Sequence, residues 1–266
     1  MIEIFNSREY KTPVKESKSF KDRILQNNRI YFAAKYLNIV LKTRKQAVRK
    51  EYGTNEWIDS SFYIFRFIEN TGGRFNISGI DNITKLQGPV LFISNHMSTL
   101  ETMIFPCIIA SHREVTFVVK DSLVRHPLFG DVMKSRNPIV VGRTDPRKDL
   151  ETVMVQGQER LSNGVSIIIF PQSTRSLEFK PAEFNSLGVK LAKKAGVPVV
   201  PVAIKTDFWG NGRWLKELGP LDSRKTIHIK FGEPFDISGN NRDDNQRIID
   251  FIQDSLSEWT NDEIPD

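Results

Sequence analysis

The sequence contains one cysteine in 266 residues and lacks a long hydrophobic run. The single thiol, Cys107, excludes an intramolecular disulfide and any zinc site built on cysteine pairs. We expect a buried, structural thiol, because Cys107 lies in an apolar run and no basic residue adjoins it to lower its pKa. A membrane-spanning helix needs about 20 consecutive apolar residues. The best candidate, residues 30–41, is interrupted by Lys35 and Asn38, so we expect no transmembrane span.

The first twenty residues are polar and charged and contain no hydrophobic core of a secretory signal. We therefore expect the chain to remain in a reducing cytoplasm. With 39% apolar and 26% charged residues, the composition excludes a disordered or fibrous protein. The length suits one large domain, or one domain with a smaller appendage.

Acidic residues are scarce in the N-terminal third, where residues 1–80 hold 15 basic and 8 acidic side chains. Between Arg29 and Lys50 there are seven basic residues and no acidic one. On a helical wheel the basic side comprises Lys35, Lys42, Lys45 and Arg49, and the apolar side comprises Ile30, Ala33, Ala34, Leu37, Leu41 and Val48, with Arg44 among them. Such a helix either lies on an anionic membrane surface or packs on the domain with a solvated basic face. The lack of acidic residues favours the membrane, and without a nucleic-acid-binding motif we expect no nucleic-acid partner.

Residues 15–70 are predicted to be helical, with an apolar second helix over 57–69. Short β-type runs then alternate with helices, which predicts an α/β fold with a mostly parallel central sheet flanked by helices. The predicted strands are 89–94, 115–119, 139–141, 165–170, 197–204 and 226–231, and the predicted helices are 98–110, 145–162, 183–195 and 241–259. We accordingly divide the chain into an N-terminal helical, membrane-associating region, 1–73, and an α/β domain, 74–266.

The sequence lacks the motifs of serine hydrolases, zinc proteases and P-loop proteins, and Gly210-Asn211-Gly212 lacks the third glycine of a dinucleotide loop. The remaining candidate is the segment 94–101, where His96 follows a buried strand and Glu101 lies five residues later. A carboxylate that accepts the Nδ1 proton would leave Nε2 free as a general base. Alternatively, Ser98 and Glu101 form a capping box, in which the carboxylate satisfies a backbone amide.

Cations and hydroxyls follow three other predicted strands. Lys120 and Arg143 each end a strand, and Thr174 and Arg175 lie in a hydroxyl-rich loop after another. Together they suggest an anionic substrate, such as a phosphate monoester, beside a base. The other histidines, His112, His126 and His228, have no such carboxylate spacing, and we interpret them as structural or surface residues.

These segments resemble the conserved blocks of the lysophospholipid acyltransferase superfamily, typified by 1-acyl-sn-glycerol-3-phosphate acyltransferase. Six segments match in the correct order: Asn95-His96-x-Ser98-Thr99-x-Glu101, Lys120-Asp121-Ser122-Leu123 with Pro127 and Gly130, Val140 to Arg143, Phe170 to Ser176, Val197 to Ile204, and Phe231-Gly232-Glu233-Pro234. The resemblance implies direct acyl transfer by His96, oriented by Glu101, with the acceptor phosphate held by Arg175 and Lys120, assisted by Arg143 and Thr174.

The resemblance also implies site-loop roles for Asn95, Ser98, Gln172 and Ser173. It implies no metal and no cofactor, an acyl-CoA or acyl-carrier protein as donor, a lysophospholipid acceptor, and a peripheral position on the cytoplasmic face of a membrane. The chain departs from the family pattern where Gln172 and Ser173 replace the usual Glu and Gly, and Glu101 replaces Asp. The change at Gln172 removes a negative charge near the expected phosphate. The alternatives are a different lyso-lipid acceptor or a catalytically silent lipid-binding protein.

Overall fold

The computed structural model describes residues 2–13, 29–172, 174–212 and 219–262. These residues form an eight-stranded sheet of order β1-β2-β8-β7-β3-β6-β4-β5. The strands are β1 Glu9–Lys11, β2 Arg74–Ser78, β3 Leu91–Ser94, β4 Val115–Lys120, β5 Ile139–Val141, β6 Ser166–Ile169, β7 Val199–Lys205 and β8 Thr226–Phe231. The α/β class is confirmed, but the sheet is mixed, since β1 runs antiparallel to β2 and β7 antiparallel to β8. The other five pairings are parallel.

The helices fill the connections between strands and cover both faces of the sheet. They are α1 Arg29–Val48, α2 Thr54–Asn70, α3 Asp81–Thr84, α4 Leu100–Phe105, α5 Asp121–Val124, α6 Gly130–Ser135, α7 Pro146–Ser162, α8 Leu187–Ala195 and α9 Asn241–Asp262. Short 3₁₀ turns span Ile2–Phe5 and Pro181–Glu183. Residues 14–28 of the predicted helical region lie outside the described residues.

The predicted helix over 98–110 is divided in two. Its α-helical part ends at Phe105, and Pro106–Ala110 form a π-helical segment. The Ser61 hydroxyl of α2 enters the backbone ladder here, donating to the Met103 carbonyl at 2.7 Å and accepting from the Cys107 N–H at 2.9 Å. An inserted side chain of this kind is a recognised cause of helix distortion.

The central strands are buried on both faces. In β3, Phe92 packs into the apolar cluster beneath α1, α2 and α4, whereas Leu91 and Ile93 pack into the cluster beneath α7, α8 and α9. Cys107 is buried, as predicted, and burial raises the pKa of its thiol to about 12. The continuous apolar strands therefore reflect a sheet covered on both sides.

Helix α1 packs on the domain through a face that the wheel did not single out. Phe32, Tyr36, Ile39, Val40 and Thr43 are buried. Leu37, Leu41 and Val48 of the predicted apolar side are 45%, 46% and 60% exposed. Arg44 lies 3.3 Å from the Asp131 carboxylate of α6, which explains the cation within the apolar side. Within the part of the chain that the structure covers, no helix is long and apolar enough to cross a membrane.

Candidate active site

The site loop leaves the carboxyl end of β3 and is fixed to β7 by Asn95. The Asn95 side-chain amide donates to the Ile204 carbonyl at 2.9 Å, and its oxygen accepts from the Ile204 N–H at 2.9 Å. Asn95 is only 2% exposed. The predicted site-loop residue therefore orients the main chain that carries His96.

His96 and Glu101 form a hydrogen-bonded pair, with 2.8 Å between Nδ1 and Oε1. The Glu101 carboxylate is fully buried and accepts four further hydrogen bonds. The donors are the Met97 N–H at 2.7 Å, the Ser98 N–H at 2.8 Å, the Ser98 hydroxyl at 3.0 Å and the Thr206 hydroxyl at 2.7 Å. The two interpretations of Glu101 are compatible, because one carboxylate accepts hydrogen bonds from both the imidazole and the Ser98 amide.

Glu101 is held in its ionised form. Burial alone would raise its pKa, but the hydrogen bond and charge of His96 and the hydrogen bond from Thr206 outweigh burial, so the pKa lies below its ordinary value. An ionised carboxylate can only accept, so the Nδ1 of His96 carries the proton that is shared with Oε1. In the neutral imidazole, Nε2 then carries the lone pair that can act as a base.

The loop after β6 holds His96 from the other side. The imidazole stacks on Phe170, with 4.2 Å between ring centroids, and the His96 side chain is 15% exposed. Gln172 accepts a hydrogen bond from the His96 N–H at 2.8 Å, and the Ser176 N–H donates to the His96 carbonyl at 3.0 Å. The Gln172 side chain is therefore buried against the main chain of the histidine. Ser173 lies outside the described residues.

A cavity of about 570 Å³ opens beside His96. Its lining includes all four residues predicted to bind phosphate: Lys120, Arg143, Thr174 and Arg175. The topology explains why they meet, since β3, β6, β4 and β5 are parallel neighbours whose carboxyl ends share one edge of the sheet. The Arg175 guanidinium also donates to the Thr99 hydroxyl, which joins the loop after β6 to the start of α4. This edge of the sheet thus brings four cationic or hydroxyl side chains to the cavity that His96 also lines.

Most of the remaining cavity wall is apolar. Along it, Phe170 stacks with Phe117 at 6.3 Å between centroids, and Phe117 meets the Trp57 ring edge-on at 6.0 Å. The buried face of α1 supplies Tyr36 and Ile39 to the same lining. The cavity therefore joins a cationic, hydroxyl-bearing rim to an apolar interior that extends between the N-terminal helices and the sheet.

Two residues near this site were not predicted. Thr206 follows β7 and donates to Glu101; its position after a core strand is the only signal in the sequence that could have found it. His126, which we interpreted as structural or surface, lines the cavity, and its Nδ1 accepts the Leu128 N–H at 3.2 Å. His228 is a buried residue of β8 that stacks on Trp259 at 4.9 Å.

Sequence comparison finds acyltransferases among the proteins that are similar to this chain. The model of the protein family described as Acyltransferase matches residues 74–205. The chain is 27% identical over 215 residues to a 1-acyl-sn-glycerol-3-phosphate acyltransferase of Pseudomonas aeruginosa, covering 79% of each chain. It is also 27% identical over 148 residues to a chloroplastic enzyme of that name from Arabidopsis thaliana, covering 56% of this chain and 38% of the relative.

A solved structure shares the fold. The crystal structure of the 1-acyl-sn-glycerophosphate acyltransferase of Thermotoga maritima matches with a TM-score of 0.64 at 21% identity, covering 90% of this chain and 96% of that chain. The chain belongs to the lysophospholipid acyltransferase superfamily. It is an enzyme of the acyltransferase type, and several of its curated relatives are named for acylation of 1-acyl-sn-glycerol 3-phosphate.

Proposed function

We propose that the enzyme moves a fatty acyl chain from a thioester donor to the free hydroxyl of a lysophospholipid, with 1-acyl-sn-glycerol 3-phosphate as the acceptor. The observation that carries this proposal is the His96–Glu101 pair at the rim of a cavity that is cationic outside and apolar inside. An acceptor with a phosphate, a hydroxyl and an acyl chain needs cations, a base and an apolar wall next to one another. The relatives' names support the same acceptor.

His96 acts as the general base. Its Nε2 takes the proton of the acceptor hydroxyl as the oxygen attacks the thioester carbonyl carbon. The C–S bond then breaks, and the imidazolium returns the proton to the departing thiolate, so that the products are the ester and the free thiol. Glu101 fixes the imidazole and stabilises its transient positive charge. No acyl-enzyme, metal or cofactor enters this scheme.

Lys120, Arg143, Thr174 and Arg175 hold the acceptor phosphate at the rim. A guanidinium binds a phosphate with two parallel hydrogen bonds, whereas an ammonium acts as a point charge. The apolar wall from Phe170 to Trp57 accommodates acyl carbons. The donor is acyl-CoA or an acyl-carrier protein, since each presents a thioester on a flexible arm.

The outer face of α1 supports a peripheral membrane position on the cytoplasmic side. Leu37 and Leu41, one helical turn apart, are exposed beside the exposed cations Lys42, Lys45 and Arg49. Apolar side chains next to a basic row are the surface that an anionic bilayer binds. Acceptors held in that bilayer would then lie near the cavity, whose wall includes the opposite face of the same helix.

An acyl-transfer assay tests the proposal. The purified enzyme is given acyl-CoA or acyl-carrier protein with a panel of lysophospholipids in vesicles, and the His96→Ala variant is assayed alongside. We expect product with 1-acyl-sn-glycerol 3-phosphate and a loss of about 10²- to 10⁴-fold in the variant. Transfer to a different head group would correct the acceptor. The absence of product with every pair, from folded protein, would favour the silent lipid-binding alternative.

A further inference from the structure

The turn that carries Arg143 has an unusual backbone. Arg143 adopts φ +59°, in the left-handed region that side chains with a Cβ disfavour. Its neighbour Gly142 could adopt that conformation at little cost, yet the positive φ falls on the arginine. A left-handed, non-glycine residue at a cavity rim persists only where the surroundings hold it there.

The side chain of Asp149 supplies that restraint. One carboxylate oxygen accepts the Gly142 N–H at 2.8 Å, and the other accepts the Arg143 N–H at 2.7 Å. Asp149 is itself fixed in the first turns of α7, where its N–H donates to the Asp145 carbonyl at 3.0 Å. The carboxylate therefore joins a rigid helix to both amides of the turn.

We propose that Asp149 is a positioning residue: its carboxylate holds the left-handed turn that directs the Arg143 side chain to the cavity rim, where the guanidinium binds the phosphate group of the acceptor. The hold on the backbone follows from the two hydrogen bonds, and the effect on phosphate binding rests on the proposed function. Asp149 does not line the cavity among the described residues, so it acts through Arg143.

The same helix offers a matched control. Asp145 is the N-cap of α7 and accepts the Arg147 N–H at 3.0 Å and the Lys148 N–H at 3.2 Å. The Asp145 and Asp149 carboxylates thus each accept hydrogen bonds from two backbone amides, but only Asp149 binds the amide of Arg143. Replacing either one costs stability, whereas only one replacement should alter phosphate binding.

Kinetics form the first arm of the test. In Asp149→Ala we expect KM for 1-acyl-sn-glycerol 3-phosphate to rise about tenfold or more, with a smaller change in kcat, because a misplaced contact can cost up to about 100-fold. The KM of Asp149→Asn, which keeps one acceptor oxygen, should lie between those of the wild type and Asp149→Ala.

The control variant Asp145→Ala should lower Tm by about 2–4 °C and leave KM unchanged. In an Arg143→Ala background, Asp149→Ala should raise KM no further. Additive effects, or an equal rise in the Asp145 variant, would overturn the proposal.

Amide hydrogen exchange, followed by NMR, is the second arm and needs no turnover. The Gly142 and Arg143 amides should be protected in the wild type and exchange at least about tenfold faster in Asp149→Ala, but not in Asp145→Ala. Unprotected amides in the wild type would overturn the proposal even if the enzyme is active. If the amides respond but Arg143→Ala does not change KM, the phosphate role of Arg143 is wrong and the proposal falls with it. An absence of transfer to any phosphate-bearing acceptor would count against the proposed function, and exchange would still decide the role of Asp149 in the turn.

Discussion

The side-chain oxygen of Gln172 accepts a hydrogen bond from the backbone N–H of His96 at 2.8 Å. In the same loop Arg175 contacts Thr99, and the Ser176 N–H donates to the His96 carbonyl. The loop after β6 therefore holds the histidine by its main chain and also supplies a cation to the cavity. Gln172, which replaces the family's usual glutamate, is thus one of the residues that bind the main chain of His96.

Gln172→Glu should leave the KM for the acceptor within about threefold, because either side chain offers an oxygen to the His96 N–H. Gln172→Leu should lower kcat by about tenfold or more, because an unpaired buried amide costs about 1–3 kcal/mol and frees the loop. Steady-state kinetics on 1-acyl-sn-glycerol 3-phosphate check both variants. A large rise in KM for the glutamate variant alone would place residue 172 at the phosphate instead.

Glu101→Gln should reduce kcat by about 10²- to 10⁴-fold, since a neutral amide can orient the imidazole but cannot stabilise the imidazolium. The sequence alone predicts little loss of stability. The five hydrogen bonds that the buried carboxylate accepts indicate that the free energy of unfolding also falls, by about 1.5–3 kcal/mol. Turnover and urea unfolding of the same preparation measure the two effects. Intact turnover per folded molecule would leave Glu101 as a capping residue only.

The stability that Glu101 contributes should depend on pH. Because its pKa is lowered in the folded protein, the unfolded state binds the proton more readily, and folding is favoured above the ordinary carboxyl pKa. This contribution is present at neutral pH and is lost as the pH falls through the lowered folded pKa. The gap in Tm between wild type and Glu101→Gln should therefore narrow in acid, as measured by thermal melts at a series of pH values. A constant gap would show that the charge plays no part.

Thr206→Val should weaken the His96–Glu101 pair and leave the proposed substrate contacts unchanged. The change removes the hydroxyl that donates to Glu101 at 2.7 Å and keeps the shape of the side chain. We expect kcat to fall about tenfold, consistent with about 1.5–3 kcal/mol for a hydrogen bond to a charged group. The acceptor KM should stay nearly constant. Thr206→Ser, which restores the hydroxyl, serves as the rescue, and a serine variant as slow as the valine variant would contradict this role.

Replacing Leu37 and Leu41 together with Gln should reduce binding to anionic vesicles by about tenfold or more, since burial of each Leu in a bilayer contributes about 1.5–3 kcal/mol. Val155, 59% exposed on α7, gives a matched control as Val155→Gln. Lys42→Glu should weaken binding to anionic vesicles and leave neutral vesicles unaffected. Vesicle co-sedimentation measures all three. Equal losses in the α1 and α7 variants would mean that α1 is an ordinary solvated helix.

Most of the candidate site could be predicted, because each of its groups lies at the end of a strand. His96, Lys120 and Arg143 follow short apolar strands, and parallel neighbours bring such ends together. The strand β1 could not be predicted, because it is three residues long and largely exposed. The π-helical segment has in its backbone ladder the Ser61 hydroxyl, which comes from another helix. Neither feature leaves a periodic pattern in its own segment.

The face of α1 that packs on the domain could not be predicted from the sequence either. Apolar and aromatic residues occur around most of this helix, so the pattern gives no unique inner side. The fold selects Phe32 and Tyr36, whose rings meet Trp209 at 4.8 and 5.2 Å, and leaves the leucines outside. Likewise the hydrogen bond that Thr206 donates and those that Asp149 accepts depend on side-chain placement, for which residue type and spacing give no rule.

Helix α1 faces the cavity with Tyr36, Ile39 and Val40 and faces outward with Leu37 and Leu41. Consecutive residues of a helix are about 100° apart, so the inner and outer rows alternate within each turn. A deletion of one residue upstream would bring Leu37 and Leu41 to the inner positions of Tyr36 and Val40, and an insertion of one residue would bring Lys35 and Lys42 to those of Tyr36 and Thr43. The length of this helix upstream of the cavity is therefore under a stricter constraint than its composition. Engineering of acyl-chain preference through α1 would have to proceed by substitution alone.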